Sequence, residues 1–268
     1  MFHLLKIDLK KLTSYRTFWI VCGLYFITLA FSTASGMEFL KWIGRTFEDF
    51  GSSLNIDRIP LYHFPDVWLN LIYFSGLFKI VLGVMTVISV TNEFQYRTLR
   101  QNVIDGLSRW QFLASKILTN ILLSFLSVVM IMIISFVTGL IYTPSIDWSY
   151  VFADMEFLIA YFIEIFAYLS FALMLGILVQ RSGLTIILLL LSPMPEIIVR
   201  EGYLDEYLPW MIEYLPLESL SNLVPLPLPR YAFQEIRDYL TISSIAIALG
   251  WTFLFNYFSF LKLKKSDI

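Results

Sequence analysis

Apolar runs of near membrane-spanning length recur along this chain, and the polar segments between them are too short to fold as domains of their own. A helix needs about 17 to 25 mostly apolar residues to cross the hydrocarbon core of a bilayer. Runs of this kind fall at about 17–35, 66–91, 112–142, 155–179, 184–200 and 239–261. Lipid offers no hydrogen-bond partner to the backbone, so such runs close their own N–H and C=O groups as helices. Composition agrees: 58% of residues are hydrophobic, only 15% are charged, and the mean hydropathy is +0.72. A soluble domain carries about 25% charged residues. The expected fold is therefore all-α, a polytopic membrane protein with six transmembrane helices in one domain over residues 1–268.

Charge orients such a bundle. If both termini share one side, that side holds Lys6, Lys10, Lys11, Arg16, Arg97, Arg100, Arg109, Lys116, Arg181, Lys262, Lys264 and Lys265. These are twelve of the nineteen basic residues, set against only Asp8, Glu93, Asp105 and Asp267. Lys and Arg mark the cytoplasmic side, so both termini are assigned to the cytoplasm. The expected location is the inner (cytoplasmic) membrane of a bacterium, and the lipid bilayer is an obligate partner; no nucleic-acid partner is expected. The single cysteine, Cys22, lies within the first apolar run, where packing is its expected role.

Several segments depart from a plain span. Residues 1–16 place Phe2, Leu5, Leu9 and Leu12 on one helical face with Lys6, Lys10 and Lys11 around it, the pattern of an amphipathic helix lying at an anionic interface. A basic flank of the first span is the simpler alternative. A cleaved leader is disfavoured, because its basic region would be long and itself amphipathic. Met37 to Pro65 reads as a partly helical outer loop. In the fifth run, Ser192-Pro193-Met194-Pro195 interrupts the apolar sequence before a span is complete, since proline removes a backbone donor. The residues that follow, through Arg237, mix aromatic and acidic side chains with the run Pro225 to Pro229, and are expected to dip into or lie on the outer leaflet, with Trp210 as an anchor.

The longest basic interruption runs from Asn92 to Lys116. Leu99, Val103 and Leu107 recur every four residues, opposite Arg97, Gln101 and Asp105, which predicts a short amphipathic helix over Arg97 to Leu107. Gly106 supplies its stop. Ser108 and Gln111 then form a capping box, with Leu107 and Phe112 at the staple positions, so a new helix should begin at Arg109. This stretch, 92–108 with the helix that follows, resembles the cytoplasmic coupling helix between spans two and three of ATP-binding cassette (ABC) permeases of the type-2 exporter class. The family pattern of a Glu, a Gly-Thr-Leu, a short helix, a Ser-Arg corner and a Gly-Lys is met here by Glu93, Thr98, Leu99, Ser108, Arg109 and Lys116. Arg97 stands where the family usually has Gly, and Ser115 where a Gly commonly precedes the Lys.

The resemblance implies a permease subunit working as a dimer, with a second copy or a homologous permease, on cytoplasmic ABC ATPase subunits. In that arrangement Glu93, Arg97, Thr98, Leu99, Arg100, Gln101, Asp105, Ser108 and Arg109 form the ATPase-coupling segment. It also implies re-entrant helices between spans five and six. The sequence carries no G-x-x-x-x-G-K-[ST] phosphate loop, no H-E-x-x-H and no Cys/His cluster, and His3 and His63 are far apart. The chain is accordingly expected to be no enzyme, to have no catalytic residue, metal or cofactor of its own, and to leave ATP and Mg to the partner ATPase.

Two charges fall within the apolar runs, Lys79 and Glu164. Intramembrane charges are costly unless paired or hydrated. Counted along their spans, the two lie within about a turn in depth, so they are expected to pair, either as a contact between helices or on a substrate path. Gly76 and Gly83 flank Lys79 at helical spacing, which suits close packing. Two other function classes fit the same chain. One is a non-transporting anchor or scaffold of an envelope complex; the other is a secondary transporter, for which inverted repeats between residues 1–142 and 143–268 are not evident.

Overall fold

A computed structural model describes residues 2–46, 61–227 and 239–265. Among them every regular element is helical and none is a strand. In chain order these are α1 (Phe2–Ser14), α2 (Arg16–Thr46), α3 (Val67–Gly76), α4 (Lys79–Gln95), α5 (Thr98–Ile104), α6 (Arg109–Tyr142), α7 (Trp148–Val151) and α8 (Phe157–Val179). They are followed by α9 (Ser182–Leu191), α10 (Pro193–Val199), a π turn at Arg200–Leu204, α11 (Asp205–Tyr207), a 3-10 turn at Pro209–Tyr214, α12 (Pro216–Ser221) and α13 (Ile242–Lys265).

Among the described residues five helical stretches are long and apolar enough to cross a membrane: Arg16–Thr33 within α2, α6, α8, Ser182–Tyr207 and α13. The expected second span, 66–91, is not one straight helix. It is the pair α3 and α4, bent by 42° at Leu77 and Phe78, and only together do they meet the same test. The first helix is also longer than expected, so residues 37–46 continue it rather than opening the outer loop. Residues 47–60 of that loop, the segment 228–238 with Pro229 and Arg237, and Asp267 lie outside the described residues.

The fifth run corrects the expectation that its prolines break it. The helical path continues through Ser182–Tyr207 as a candidate span. Pro193 has no N–H to give the carbonyl of Leu189, four residues earlier. The hydroxyl of Ser192 donates to that same carbonyl at 2.7 Å, while Ser192 keeps helical torsions (φ −57°, ψ −30°). Pro193 itself opens the next helical segment, where a missing N–H is tolerated. Beyond it the chain folds back: the Glu196 carboxylate accepts the backbone N–H groups of Leu217 (2.9 Å) and Glu218 (3.0 Å) at the start of α12, and Arg200 pairs with Glu218 at 3.1 Å.

Helix α8 is the axis of the bundle and the most buried of the candidate spans. It packs against α13, α4, α6, α3, α9 and α12. Its small residues Ala160, Ala167, Ser170, Ala172 and Gly176 are buried and let neighbouring backbones approach. A Cβ on Gly176 would run into the Val90 side chain of α4. At the end of α8, Gln180 takes the left-handed conformation (φ 59°) that stops the helix, and Arg181 is extended before α9 begins.

The two ends of the bundle are distinct. At one end Phe64 N–H donates to Thr143 Oγ1 (3.1 Å), the Trp68 indole N–H to Val151 O (2.8 Å), and Leu240 N–H to the Glu156 carboxylate (2.9 Å). At the other end α1 packs on α6, α5 on α4, and the last turn of α13 on the start of α6, beside the close of α8. There Leu99, Phe112, Leu113, Val90, Leu173, Ile177 and Leu263 form a second apolar cluster.

Candidate functional site

The end that gathers α1, α5 and the close of α13 carries most of the polar chemistry. Helix α5 is short, seven residues from Thr98 to Ile104, and so narrower than the predicted Arg97 to Leu107. Its entry residue Arg97 is left-handed (φ 56°), and Gly106 beyond its end has φ 98°. A left-handed backbone is where glycine is ordinarily favoured, which gives the Arg97 position a conformational meaning. Leu99 is buried in the apolar cluster, with Val103 and Leu107 packed beside it. Arg97, Arg100, Gln101 and Asp105 face outward, together with Tyr96 (67% exposed) and Ile104 (76% exposed). The outer face thus mixes two guanidinium groups with two large apolar side chains.

The base of α5 is held by a chain of charges, of which Asp8, Glu93 and Lys116 are buried and Lys11 is half-buried. Lys116 Nζ donates to Asp8 Oδ1 at 2.6 Å and to Ser89 Oγ at 3.2 Å, and lies 3.5 Å from Glu93 Oε1. Thr119 Oγ1 donates to the other Asp8 oxygen at 2.6 Å. Lys11 approaches Glu93 at 3.5 Å and Asn102 Oδ1 at 3.5 Å. The Thr98 hydroxyl donates to Glu93 Oε2, which pins the first residue of α5 to the last turn of α4. Two carboxylates and two ammonium groups therefore join α1, α4, α5 and α6. Each buried charge has a counter-charge, the condition under which burial is tolerated. Beside them opens a cavity of about 400 Å³ lined by Asp8, Lys11, Glu93, Asn102, Asp105 and Gln111 among others.

Glu93 and Arg109, which sequence reasoning groups with a partner-facing segment, are turned inward. Glu93 is buried in the network just described. Arg109 Nη1 donates to the carbonyls of Leu263 (2.9 Å) and Lys264 (2.6 Å), filling acceptors that the last turn of α13 cannot satisfy by itself. Its positive charge also suits a helix C-terminus. Ser108 caps α6: its hydroxyl accepts from Gln111 N–H, and the Gln111 side chain accepts from Ser108 N–H. Trp110 meets Phe260 edge-on at 5.7 Å, a further tie between α6 and α13.

The two charges of the apolar runs, Lys79 and Glu164, also meet. Lys79 Nζ lies 2.5 Å from Glu164 Oε1 and 5.6 Å above the Tyr168 ring. Lys79 is the first residue of α4, immediately after the bend. An ammonium there faces the positive end of the helix dipole, so the carboxylate offsets both. Gly76 makes room for it: a Cβ at that position would lie 3.2 Å from Glu164 Oε1. Gly83, one turn beyond Lys79, lets Tyr168 close over the backbone, where a Cβ would fall 2.8 Å from Tyr168 Cε1.

Sequence reasoning did not assemble Asp8, Lys11, Lys116 and Thr119. The legible signal was Lys116 itself, a lysine following the apolar Phe112-Leu113-Ala114 at the start of a span, where it requires a counter-charge. Among the described residues no cluster of His, Cys, Asp and Glu could hold a metal ion.

A family model described as a protein of unknown function, DUF2705, matches residues 56–268, well over half of the chain. The chain belongs to this family. The DUF2705 match takes in the α3–α4 bend, the Lys79–Glu164 pair, α5, and the Glu93 and Lys116 members of the buried network; Asp8 and Lys11 precede it. A comparison with curated proteins finds no match.

Proposed function

We propose that this chain is the membrane-spanning permease subunit of an ATP-driven exporter similar to the ABC type-2 class. In this reading the bent pair α3–α4 counts as one of six spans, and both termini lie in the cytoplasm of a bacterial cell. ATP and Mg are held by a separate cytoplasmic ATPase, which docks on the outer face of α5. The working unit is a pair of permeases on a pair of ATPases. The observation that carries the reading is the build of α5. It presents Tyr96, Arg97, Arg100, Gln101 and Ile104 outward while Leu99 and the Glu93–Thr98 bond fix its base to the spans.

A helix so mounted passes force in both directions. A partner that shifts α5 shifts Glu93, and with it Lys116 on α6 and Asp8 on α1, because one ammonium is shared between the two carboxylates. Closure of two ATPases on ATP would then turn α4 and α6 together and part the spans toward the outside, a rigid-body transition. Lys79 and Glu164, one at the bend and one on the central helix, form the charged point along that path. The short elements Pro209–Tyr214 and α12 take the place of the re-entrant helices. The test is co-expression with a cytoplasmic ABC ATPase, sought first among the genes neighbouring this one, followed by purification. A stable complex whose ATP hydrolysis rises on reconstitution supports the reading. Loss of Arg97 and Arg100 that changes neither partner association nor export contradicts it.

A further inference from the structure

Between α2 and α3 lies a second, quite different cavity of about 240 Å³, lined by Ser32, Thr33, Leu61, Tyr62, Leu71, Phe74, Leu77 and Phe78 with Gly36 and Asn70. Its length follows α3. From Asn70 to Leu77 the helix advances seven residues, about 10 Å, so the cavity's lining extends along α3. It starts near Thr33, at the far limit of the apolar stretch of α2, and ends at the α3–α4 bend in mid-span.

The walls have little to offer a polar ligand. Ser32 Oγ donates to Thr28 O (2.7 Å), Thr33 Oγ1 to Leu29 O (2.7 Å), and Tyr62 OH to Thr33 O (2.7 Å); the Asn70 amide N–H donates to Leu61 O (2.7 Å). The chain's own carbonyls thus occupy these donors. Leu77, which lines the cavity, is apolar and 62% exposed. Leu77 lies at the bend of the pair that together is apolar and long enough to cross a membrane, so in a bilayer this opening would meet hydrocarbon. An apolar cavity of about 150 Å³ already stays dry and takes up a hydrocarbon guest. Leaving this one empty would deprive Leu71, Phe74 and Phe78 of contact atoms on one side.

We propose that this cavity is a binding site for a single acyl chain of a membrane phospholipid, entered sideways from the bilayer, with the end of the chain against Leu77 and Phe78. Nothing in it depends on an ATPase partner. It needs only an apolar slot open to lipid tails. Occupancy would brace the bend just before Lys79 and so bear on the Lys79–Glu164 pair.

The test uses the full chain in proteoliposomes containing a phospholipid with a diazirine partway along one acyl chain, photolysed and mapped by peptide mass spectrometry. Labelling concentrated on residues 28–36 and 69–78, several-fold above the exposed apolar stretch 184–191, is the expected result. Ser32→Trp and Leu71→Phe, which fill the slot, should reduce that labelling several-fold while leaving 184–191 unchanged. Even labelling across all lipid-facing helices overturns the proposal, as does undiminished labelling in a filled variant that melts like the parent. Should either filled variant fail to fold, the map of the unaltered protein decides.

Discussion

Lys79, the first residue of α4, and Glu164, in the first half of the central helix α8, stand 2.5 Å apart beside the bend between α3 and α4. Both are largely buried, with side-chain exposures of 17% and 6%. Removing one partner leaves an uncompensated charge, which costs about 3–5 kcal/mol, whereas replacing both by apolar groups is often near neutral. Lys79→Met and Glu164→Leu should each lower thermal stability in detergent sharply. The double variant should recover most of the loss. Additive losses in this cycle would remove the pair from the account of the bend.

Gly76 should be intolerant of even a methyl group. Its Cβ would press on Glu164 Oε1 at 3.2 Å, and overpacking of this kind costs about 1–3 kcal/mol. Gly183 has nothing within 4 Å of its own Cβ position. Gly183→Ala should therefore be neutral or stabilising by about 0.5–1 kcal/mol. Melting temperatures of the two variants, compared side by side, check the contrast.

Lys116 is the shared ammonium of the Asp8 and Glu93 carboxylates. Lys116→Met should destabilise by about 3–5 kcal/mol and loosen α1, seen as faster hydrogen exchange over residues 6–14. Adding Asp8→Asn to Lys116→Met should restore part of the stability, since only Glu93 then remains, with Lys11 beside it at 3.5 Å. Slow exchange in the single variant would mean that α1 is held by its apolar side alone.

Arg97 pays for its left-handed backbone, φ 56°. A non-glycine residue there costs about 1–2 kcal/mol, so Arg97→Gly should raise stability by up to about 1 kcal/mol while removing a charge from the outer face of α5. A gain in melting temperature with weaker partner association is the expected signature. A loss of stability would show that the Arg97 side chain contributes more to the fold than its backbone costs.

Much of this architecture is legible in the sequence because lipid permits so few alternatives. The period of Leu99, Val103 and Leu107 placed α5 and its buried side, and Ser108 with Gln111 placed the start of α6 to the residue. Depth counting brought Lys79 and Glu164 together. What failed were features that depend on a single local rescue. The bend at Leu77 and Phe78 has no proline to announce it, and Ser192 repairs the carbonyl that Pro193 leaves unpaired. The buried network was hidden for another reason: Asp8 and Lys116 are 108 residues apart, and helical periodicity says nothing about which distant faces meet.

The most direct test of the exporter reading is charge reversal on the exposed face of α5. An isolated surface charge contributes only about 0–1 kcal/mol, so Arg97→Glu and Arg100→Glu are made together, and the variant is assayed in proteoliposomes with its ATPase. The account predicts that the permease folds and melts as before, while ATPase association weakens or hydrolysis no longer drives export. Unchanged association together with unchanged export would contradict it.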